Sequence, residues 1–273
     1  MTLRLAGPLL LVGAGKMGGA LLEGWLRQGL DPAAIFIQDP APAPEVLNLA
    51  ARHAIAAGTA PDLPSAPSVI VIAVKPGLVA KLLPEVEPMA GEGTVVLSIA
   101  AGRTLESLAR SLPAGTAIVR AMPNTAAAVG SSMTVACANA AVTAAQAAEC
   151  TALLEAVGDV LWLDDETLLD AVTAVSGSGP AYVFLLAECL AEAGRDAGLD
   201  AELAQRLART TVAGAGALLR QSDLSPAELR EKVTSPNGTT AAALEVLMGR
   251  DGFQELLNRA VAAAAKRSRE LSS

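Results

Sequence analysis

From the N-terminus to Asp164, short apolar runs that end in small or polar residues alternate with stretches of helical period. "PLLLVGAG" (8–15) reads as a buried strand feeding a tight turn, and from Lys16 to Gln28 the residues Met17, Leu21, Leu22 and Trp25 share one helical face. "AIFIQD" (34–39), "SVIVIAVKP" (68–76), "GTVVLSIAAG" (93–102) and "TAIVRAMPN" (116–124) repeat the strand-then-loop pattern, with helical stretches 78–90 and 104–111 between them. "SSMTVACAN" (131–139), a helix over 143–157 and "DVLWLD" (159–164) complete the series. Strands apolar on both faces belong in a parallel sheet covered by helices on either side. The pattern predicts an α/β architecture, a Rossmann-like doubly wound sheet over residues 1–164.

After Asp164 the strand signal stops. Residues 166–175, 180–197, 201–221, 226–232, 239–248 and 252–271 read as helices separated by Gly, Pro or Ser. They carry small residues on several faces, as in "RTTVAGAGALLR" (209–220), so they need partners on more than one side. An all-α domain over 165–273 is predicted, dimerising with the helices of two chains interleaved.

Composition narrows the function. Hydrophobic residues make up 52% of the chain and aromatic ones 2%, so the core is aliphatic and its helices approach closely over Ala and Gly. A net charge of −8 offers no basic field to attract nucleic acid or anionic lipid. The local cluster of Lys266, Arg267 and Arg269 suits a helix C-terminus. Cys137, Cys150 and Cys189 are widely spaced, which argues against a disulfide framework or a metal site and for a reducing compartment. His53, the only histidine, lies at an Ala-rich helix end and reads as a surface residue rather than a catalytic base. The N-terminus does not read as a secretory signal, and the expectation is a soluble cytoplasmic protein with no membrane partner.

The candidate chemistry begins at "GAGKMG" (13–18), a G-x-G-x-x-G placed after the first strand and opening the first helix. Gly13 permits the turn, Gly15 lets backbone approach a pyrophosphate, and Gly18 allows close helix–strand contact. Val12, Gly13, Ala14, Gly15, Lys16, Met17 and Gly18 are therefore candidate dinucleotide-binding residues. Asp39, about 20 residues further on, either receives the ribose hydroxyls or makes an Asp-Pro turn. No Lys or Arg lies between Gln38 and Ala51, which favours NADH over NADPH. The loops "AVKP" (Ala73, Val74, Lys75, Pro76) and "SIAAG" (with Ala100 and Ala101) leave the carboxyl ends of strands, where such sheets bind ligands. Lys75 and Asn124 are either solvated loop residues or neighbours of the cofactor. "VTSPNGTT" (233–240) is a turn and helix cap on one reading, and on another a helix start whose N–H groups hold an anion.

With these motifs placed, the chain closely resembles the pyrroline-5-carboxylate reductases. The resemblance runs through the glycine turn, "AVKP", "SIAAG", "RAMPNT", "VSGSGPAYVF" (175–184) and "KVTSPNGTT", where Asn237 stands at a position commonly glycine. It implies reduction of 1-pyrroline-5-carboxylate to L-proline, the last step of proline biosynthesis, with NADPH or NADH. It also implies homodimers with interlocked C-terminal helices, often five to a decamer. The substrate carboxylate would be held by backbone N–H groups of Gly238, Thr239 and Thr240. Thr240 would bring its hydroxyl to the ring nitrogen with Ser235 nearby, and Ser176 and Gly177 would touch the nicotinamide. The β-hydroxyacid dehydrogenases, a related family, carry a lysine shortly after a similar Gly-rich stretch, where this chain has Phe184, Leu185 and Leu186. A non-catalytic dinucleotide sensor would have no need of the 233–240 loop.

Overall fold

The protein is described from a computed structural model over residues 2–272. The N-terminal part alternates β1 (Leu9–Val12), α1 (Lys16–Arg27), β2 (Ile35–Gln38), α2 (Pro44–Arg52), β3 (Ala56–Gly58), β4 (Val69–Ile72), α3 (Pro76–Val86), β5 (Val95–Ser98), α4 (Leu105–Ala109), β6 (Ala117–Met122), β7 (Ser132–Ala138), α5 (Ala144–Glu155) and β8 (Gly158–Trp162). The strands form one sheet in the order β3-β2-β1-β4-β5-β6-β7-β8. The chain direction of winding reverses between β1 and β4, which opens a crevice at their carboxyl ends.

Alternation along each strand divides the core into two layers. Leu9, Leu11, Ile35, Ile37, Val69, Val71, Val95 and Leu97 meet Leu21, Leu22 and Trp25 of α1 and Leu153 and Leu154 of α5 on one face. Leu10, Val12, Ile70, Ile72 and Val96 meet Val79, Leu83 and Val86 of α3 and Leu108 of α4 on the other. Trp25 is wholly buried, and its indole N–H donates to the Leu153 carbonyl at 2.8 Å, so the largest core side chain leaves no polar atom unpaired.

Two details depart from the sequence reading. β7 runs antiparallel to β6, because the Met122–Ser132 connection is a single 3₁₀ segment (Thr125–Val129), too short for the crossover that parallel pairing requires. β3 is a three-residue strand of Ala-Ala-Gly with no apolar pattern to announce it, held only by its pairing with β2.

The chain divides into two compact units, the first running to Gly177 and regaining the stretch from Ala265 onward, the second spanning Ser178–Ala264. The first unit thus continues past the expected boundary at Asp164. Leu169 and Ala174 are fully buried there, and Glu166 accepts from Arg120 Nη1 at 2.7 Å and from the Leu105 amide at 2.8 Å. Residues 166–175, read as a single helix, form a 3₁₀ turn (Glu166–Leu168), α6 (Leu169–Val172) and a π-helical turn (Thr173–Gly177). Ser268 donates to Asp170 at 2.5 Å and so ties the C-terminal residues to α6.

The second unit holds α7 (Gly179–Asp196), α8 (Ala201–Gln221), α9 (Pro226–Lys232), α10 (Thr239–Leu247) and the start of α11 (Phe253–Ser272). α7 and α8 pack where Gly194 meets Ala204, and Ala204 and Ala208 are buried. Phe184, Leu185, Leu186, Leu190, Leu207, Leu218, Leu247 and Met248 are all exposed in the single chain. The run Glu166–Asp196 is long and apolar enough to cross a membrane by length and composition, and only 6% of its most apolar window is buried. Helices with so much apolar surface and so little internal packing require a partner surface.

Cys150 lies fully inside the first layer, and burial, with Glu149 adding to it, pushes its thiol from 9.0 up to about 12. The folded state therefore keeps a proton that the unfolded chain loses above pH 9. The resulting stabilisation is complete below pH 9 and disappears as the pH approaches 12. Thermal melts should show Tm falling more steeply between pH 8.5 and 10.5 for the native sequence than for Cys150→Ala, and parallel slopes would contradict this assignment.

Candidate functional site

The glycine turn joins β1 to α1, and each glycine answers a different steric demand. Gly13 has φ +98°, and a methyl group on it would lie 2.6 Å from Val74 Cγ1 and 2.8 Å from the Ala73 carbonyl. A methyl on Gly18 would collide with the Gly13 carbonyl oxygen. On Gly15 it would meet nothing within 4 Å, so the open face of the turn is at Gly15. Gly15 is also the N-cap of α1, with no side-chain cap and no acidic residue in the first turn. The first-turn amides of α1 thus have no side-chain acceptor and lie beside open space with the helix dipole behind them, an arrangement that suits a pyrophosphate.

A cleft of about 540 Å³ extends from this turn across the carboxyl ends of β4, β5 and β6. Gly15, Lys16, Met17, Ala73, Val74, Lys75, Pro76, Ala100 and Ala101 all line it, as their motifs suggest. Ile99, Met122, Pro123, Asn124, Thr125 and Gly177 line it as well. Arg103 Nε donates to the Pro76 carbonyl at 3.0 Å and so links two of the loops that form the cleft. The π-helical turn brings Gly177 against Met122, leaving only 2.5 Å between Met122 Cε and the place of a side chain on Gly177. Ser176 accepts from Asn124 Nδ2 at 3.2 Å and donates to the Met133 carbonyl at 3.3 Å, so it is held at the edge of the cleft.

A second cavity, about 380 Å³, opens beside β2 and is lined by Val12, Gly13, Gln38, Asp39, Pro40, Thr59, Val74, Leu78, Lys81, Leu82 and Glu85. Asp39 does more here than either sequence reading supposed. Its Oδ2 accepts from the Ala14 amide at 2.6 Å and its Oδ1 from the Ala41 amide at 2.8 Å. Charge-assisted bonds of this kind contribute about 1.5–3 kcal/mol each, so the carboxylate braces the glycine turn. Ala14 is fully buried, with its amide committed to Asp39, and Gly18 is buried in the helix–strand contact. Both shape the turn from behind. Thr59 and Lys81 gave no sequence signal, since Thr59 follows the unannounced β3 and Lys81 is one helical lysine among several.

The 233–240 loop lies in the second unit. Asn237 adopts φ +56°, the left-handed conformation that glycine and asparagine tolerate. Gly238 caps α10 with no side-chain bond, and a side chain on it would collide with Ser235 Oγ. The Gly238 amide differs from the expectation, because it donates to the Ser235 carbonyl at 3.1 Å. Among the described residues the first-turn amides of Thr239 and Thr240 have no acceptor, as helix geometry requires unless a ligand supplies one. Ser235 and Thr239 are exposed and Thr240 is half-buried. His53 is exposed, and no group of three or more His, Cys, Asp or Glu able to hold a metal occurs among the described residues.

Comparison with known proteins places this geometry. A family model described as pyrroline-5-carboxylate reductase dimerisation matches residues 166–271, and one described as NADP oxidoreductase, coenzyme F420-dependent, matches residues 9–102. A pyrroline-5-carboxylate reductase of Pseudomonas aeruginosa is 41% identical over 262 residues, 96% of this chain and 95% of that one. The structure of a pyrroline-5-carboxylate reductase from Coxiella burnetii superposes with a TM-score of 0.90 at 32% identity, covering 98% of this chain and all of the other. That of the Plasmodium falciparum enzyme, solved with NADP bound, gives 0.81 at 27% identity over 98% and 99% of the two chains.

The steric difference among the glycines is testable. Gly18→Ala should lower Tm by several degrees, because the methyl meets backbone, whereas Gly15→Ala should leave Tm within about a degree and weaken dinucleotide binding at least tenfold. Equal Tm losses in the two variants, or intact binding by Gly15→Ala, would remove Gly15 from the phosphate site.

Proposed function

The chain belongs to the pyrroline-5-carboxylate reductase family, and we propose that it acts as that enzyme, reducing 1-pyrroline-5-carboxylate to L-proline with NADPH or NADH. One observation carries the residue-level reading. Two helices, α1 and α10, start on glycines without side-chain caps and present unpartnered amides, one after a dinucleotide-type turn and one in the 233–240 loop. Residues 1–164 supply the dinucleotide site in this reading, and residues 165–273 supply dimerisation and the substrate loop.

When bound, the dinucleotide supplies a hydride. The α1 amides and Gly15 hold its pyrophosphate, the 540 Å³ cleft along Ala100, Ala101 and Met122 takes the nicotinamide, and the cavity beside Asp39 takes the adenosine. Ser176, fixed by Asn124 and Met133, borders the nicotinamide end. The amides of Thr239 and Thr240 receive the substrate carboxylate, with the α10 dipole favouring the negative charge. The Thr240 hydroxyl hydrogen-bonds the ring nitrogen, and Ser235, whose carbonyl already holds the Gly238 amide, fixes the shape of the loop.

This chemistry asks little of the side chains. The carbon of a protonated cyclic imine is already electrophilic, and its reduction yields an amine rather than an alkoxide. Holding the ring in register therefore lowers the barrier without a strong protein acid. A single exposed histidine and a hydroxyl at the substrate loop suit such a reaction.

A second copy of the chain covers the exposed apolar faces of α7, α8 and α10, as the dimerisation model over residues 166–271 supports. Cys137, Cys150 and Cys189 are all free thiols, in keeping with a reducing cytoplasmic setting.

Incubation with pyrroline carboxylate should consume the absorbance of NADPH or NADH, and oxidation of neither would overturn the reductase reading. In the same assay Thr240→Ala should lower kcat by about tenfold to a hundredfold, the loss of one transition-state hydrogen bond, with cofactor affinity changed less than twofold. An unchanged rate would exclude the Thr240 hydroxyl from the reaction. Sedimentation at micromolar concentration should give a dimer or a multiple of it, five dimers in a decamer included, and a monomer would contradict the interleaved assembly.

A further inference from the structure

The cavity beside β2 contains a buried polar atom whose role the fold does not explain. Gln38, the last residue of β2, is 7% exposed, and its Oε1 is enclosed without any hydrogen-bond partner. A buried acceptor left unmade is destabilising, so an amide retained at this point calls for a partner that arrives from outside the chain. Strand alternation puts Gln38 on the same side of the sheet as Phe36, the side that α3 covers. The cavity opens on that side, where Leu78, Lys81 and Leu82 of α3 face the strand end. A half-turn of the amide exchanges its oxygen and nitrogen, so one group can present either an acceptor or a donor to the cavity. Adenine carries an amino donor next to a ring-nitrogen acceptor, the combination that a glutamine amide pairs with.

The charges in the cavity are arranged unevenly. Both Asp39 oxygens already accept backbone amides, so removing this residue would disturb the glycine turn as well as the local charge. Lys81 is the one cation lining the cavity, and among the described residues no carboxylate lies within ion-pairing distance of it. Its ammonium rides on a flexible four-carbon stem beside a space of about 380 Å³. No Lys or Arg lies between Gln38 and Ala51, which favours NADH when the chain is read as a line, yet α3 brings Lys81 to this cavity, which the carboxylates of Asp39 and Glu85 also line.

We propose that Gln38 and Lys81 read the adenosine end of the cofactor: the Gln38 amide hydrogen-bonds the adenine, and the Lys81 ammonium admits the 2′-phosphate that distinguishes NADPH from NADH. The inference rests on the reductase reading only for the identity of the dinucleotide, and it is tested without turnover. Calorimetric titration of the intact protein with 5′-AMP and 2′,5′-ADP should give about tenfold tighter binding of 2′,5′-ADP. Lys81→Met should abolish that preference and leave AMP affinity within twofold. Gln38→Leu should weaken both nucleotides about tenfold and raise the Tm of the ligand-free protein by about 2–4 °C, since it removes the unpaired acceptor.

A preference for 2′,5′-ADP that survives Lys81→Met would overturn the phosphate assignment, and unchanged affinities in Gln38→Leu would overturn the adenine assignment. A protein that oxidises NADPH with pyrroline carboxylate yet binds neither nucleotide would sink this inference and leave the reductase reading standing. Nucleotide binding that responds to both variants as stated, without turnover, would do the reverse.

Discussion

The structure is organised around backbone amides left without intramolecular acceptors at two helix starts. Four other helices close their starts with side chains, Thr104, Thr143, Asp200 and Ser225 each accepting from an amide of the first turn, while α2, α3 and α7 have no side-chain cap and carry a proline in the first turn instead. At α1 and α10 the cap is glycine, which has no side chain to accept from the first-turn amides. A cap of Ser, Thr, Asp or Asn would stabilise either helix by only a few tenths of a kcal/mol relative to glycine, and its side chain would occupy the space in front of the first-turn amides. The surrounding packing follows from this constraint. Gly13 and Gly18 let the start of α1 lie close against the turn and the Ala73–Val74 loop, Asp39 braces the turn from the next strand, and Asn237 and Gly238 hold the loop ahead of α10 in a shape that larger residues could not adopt.

The 540 Å³ cleft is shaped in part by residues outside its lining. Arg120 is 6% exposed and pairs with Glu166, which also accepts the Leu105 amide. Through that one carboxylate, the end of β6, the start of α4 and the segment leading to the π-helical turn are joined. Breaking a pair so deeply placed would cost several kcal/mol, because it would strand a buried charge. The π turn itself widens the helical path just enough to seat Gly177 on Met122 and to hold Ser176 between Asn124 and the Met133 carbonyl. Wide turns of this kind are rare within helices and often accompany function.

The helical unit poses a different physical problem. Few of its apolar side chains are buried within the chain, and the α7–α8 contact relies on Gly194, Ala204 and Ala208 rather than on large residues. Small residues let helices approach closely but bury little area each, so they supply geometry more than energy. The large apolar residues Phe184, Leu185 and Leu186 are instead exposed in the single chain, within the stretch 166–271 that the dimerisation family model matches.

Periodicity alone determined most of the architecture. The seven longer strands, the change to helices after Asp164 and the three glycines of the turn were all legible, because each is a local matter of side-chain spacing or backbone freedom. The motifs lining the 540 Å³ cleft were legible for the same reason, being strand-end loops of recognisable composition. Tertiary structure decided the rest. Only pairing with β2 makes a strand of Ala56–Gly58, and only a short connection turns β7 antiparallel. Only folding sends the Asp39 carboxylate back to Ala14, commits the Gly238 amide to Ser235, and brings Lys81 to the cavity where Asp39 and an unpartnered Gln38 stand. Those contacts join residues far apart in the chain or depend on where one carbonyl points, and no spacing rule encodes either.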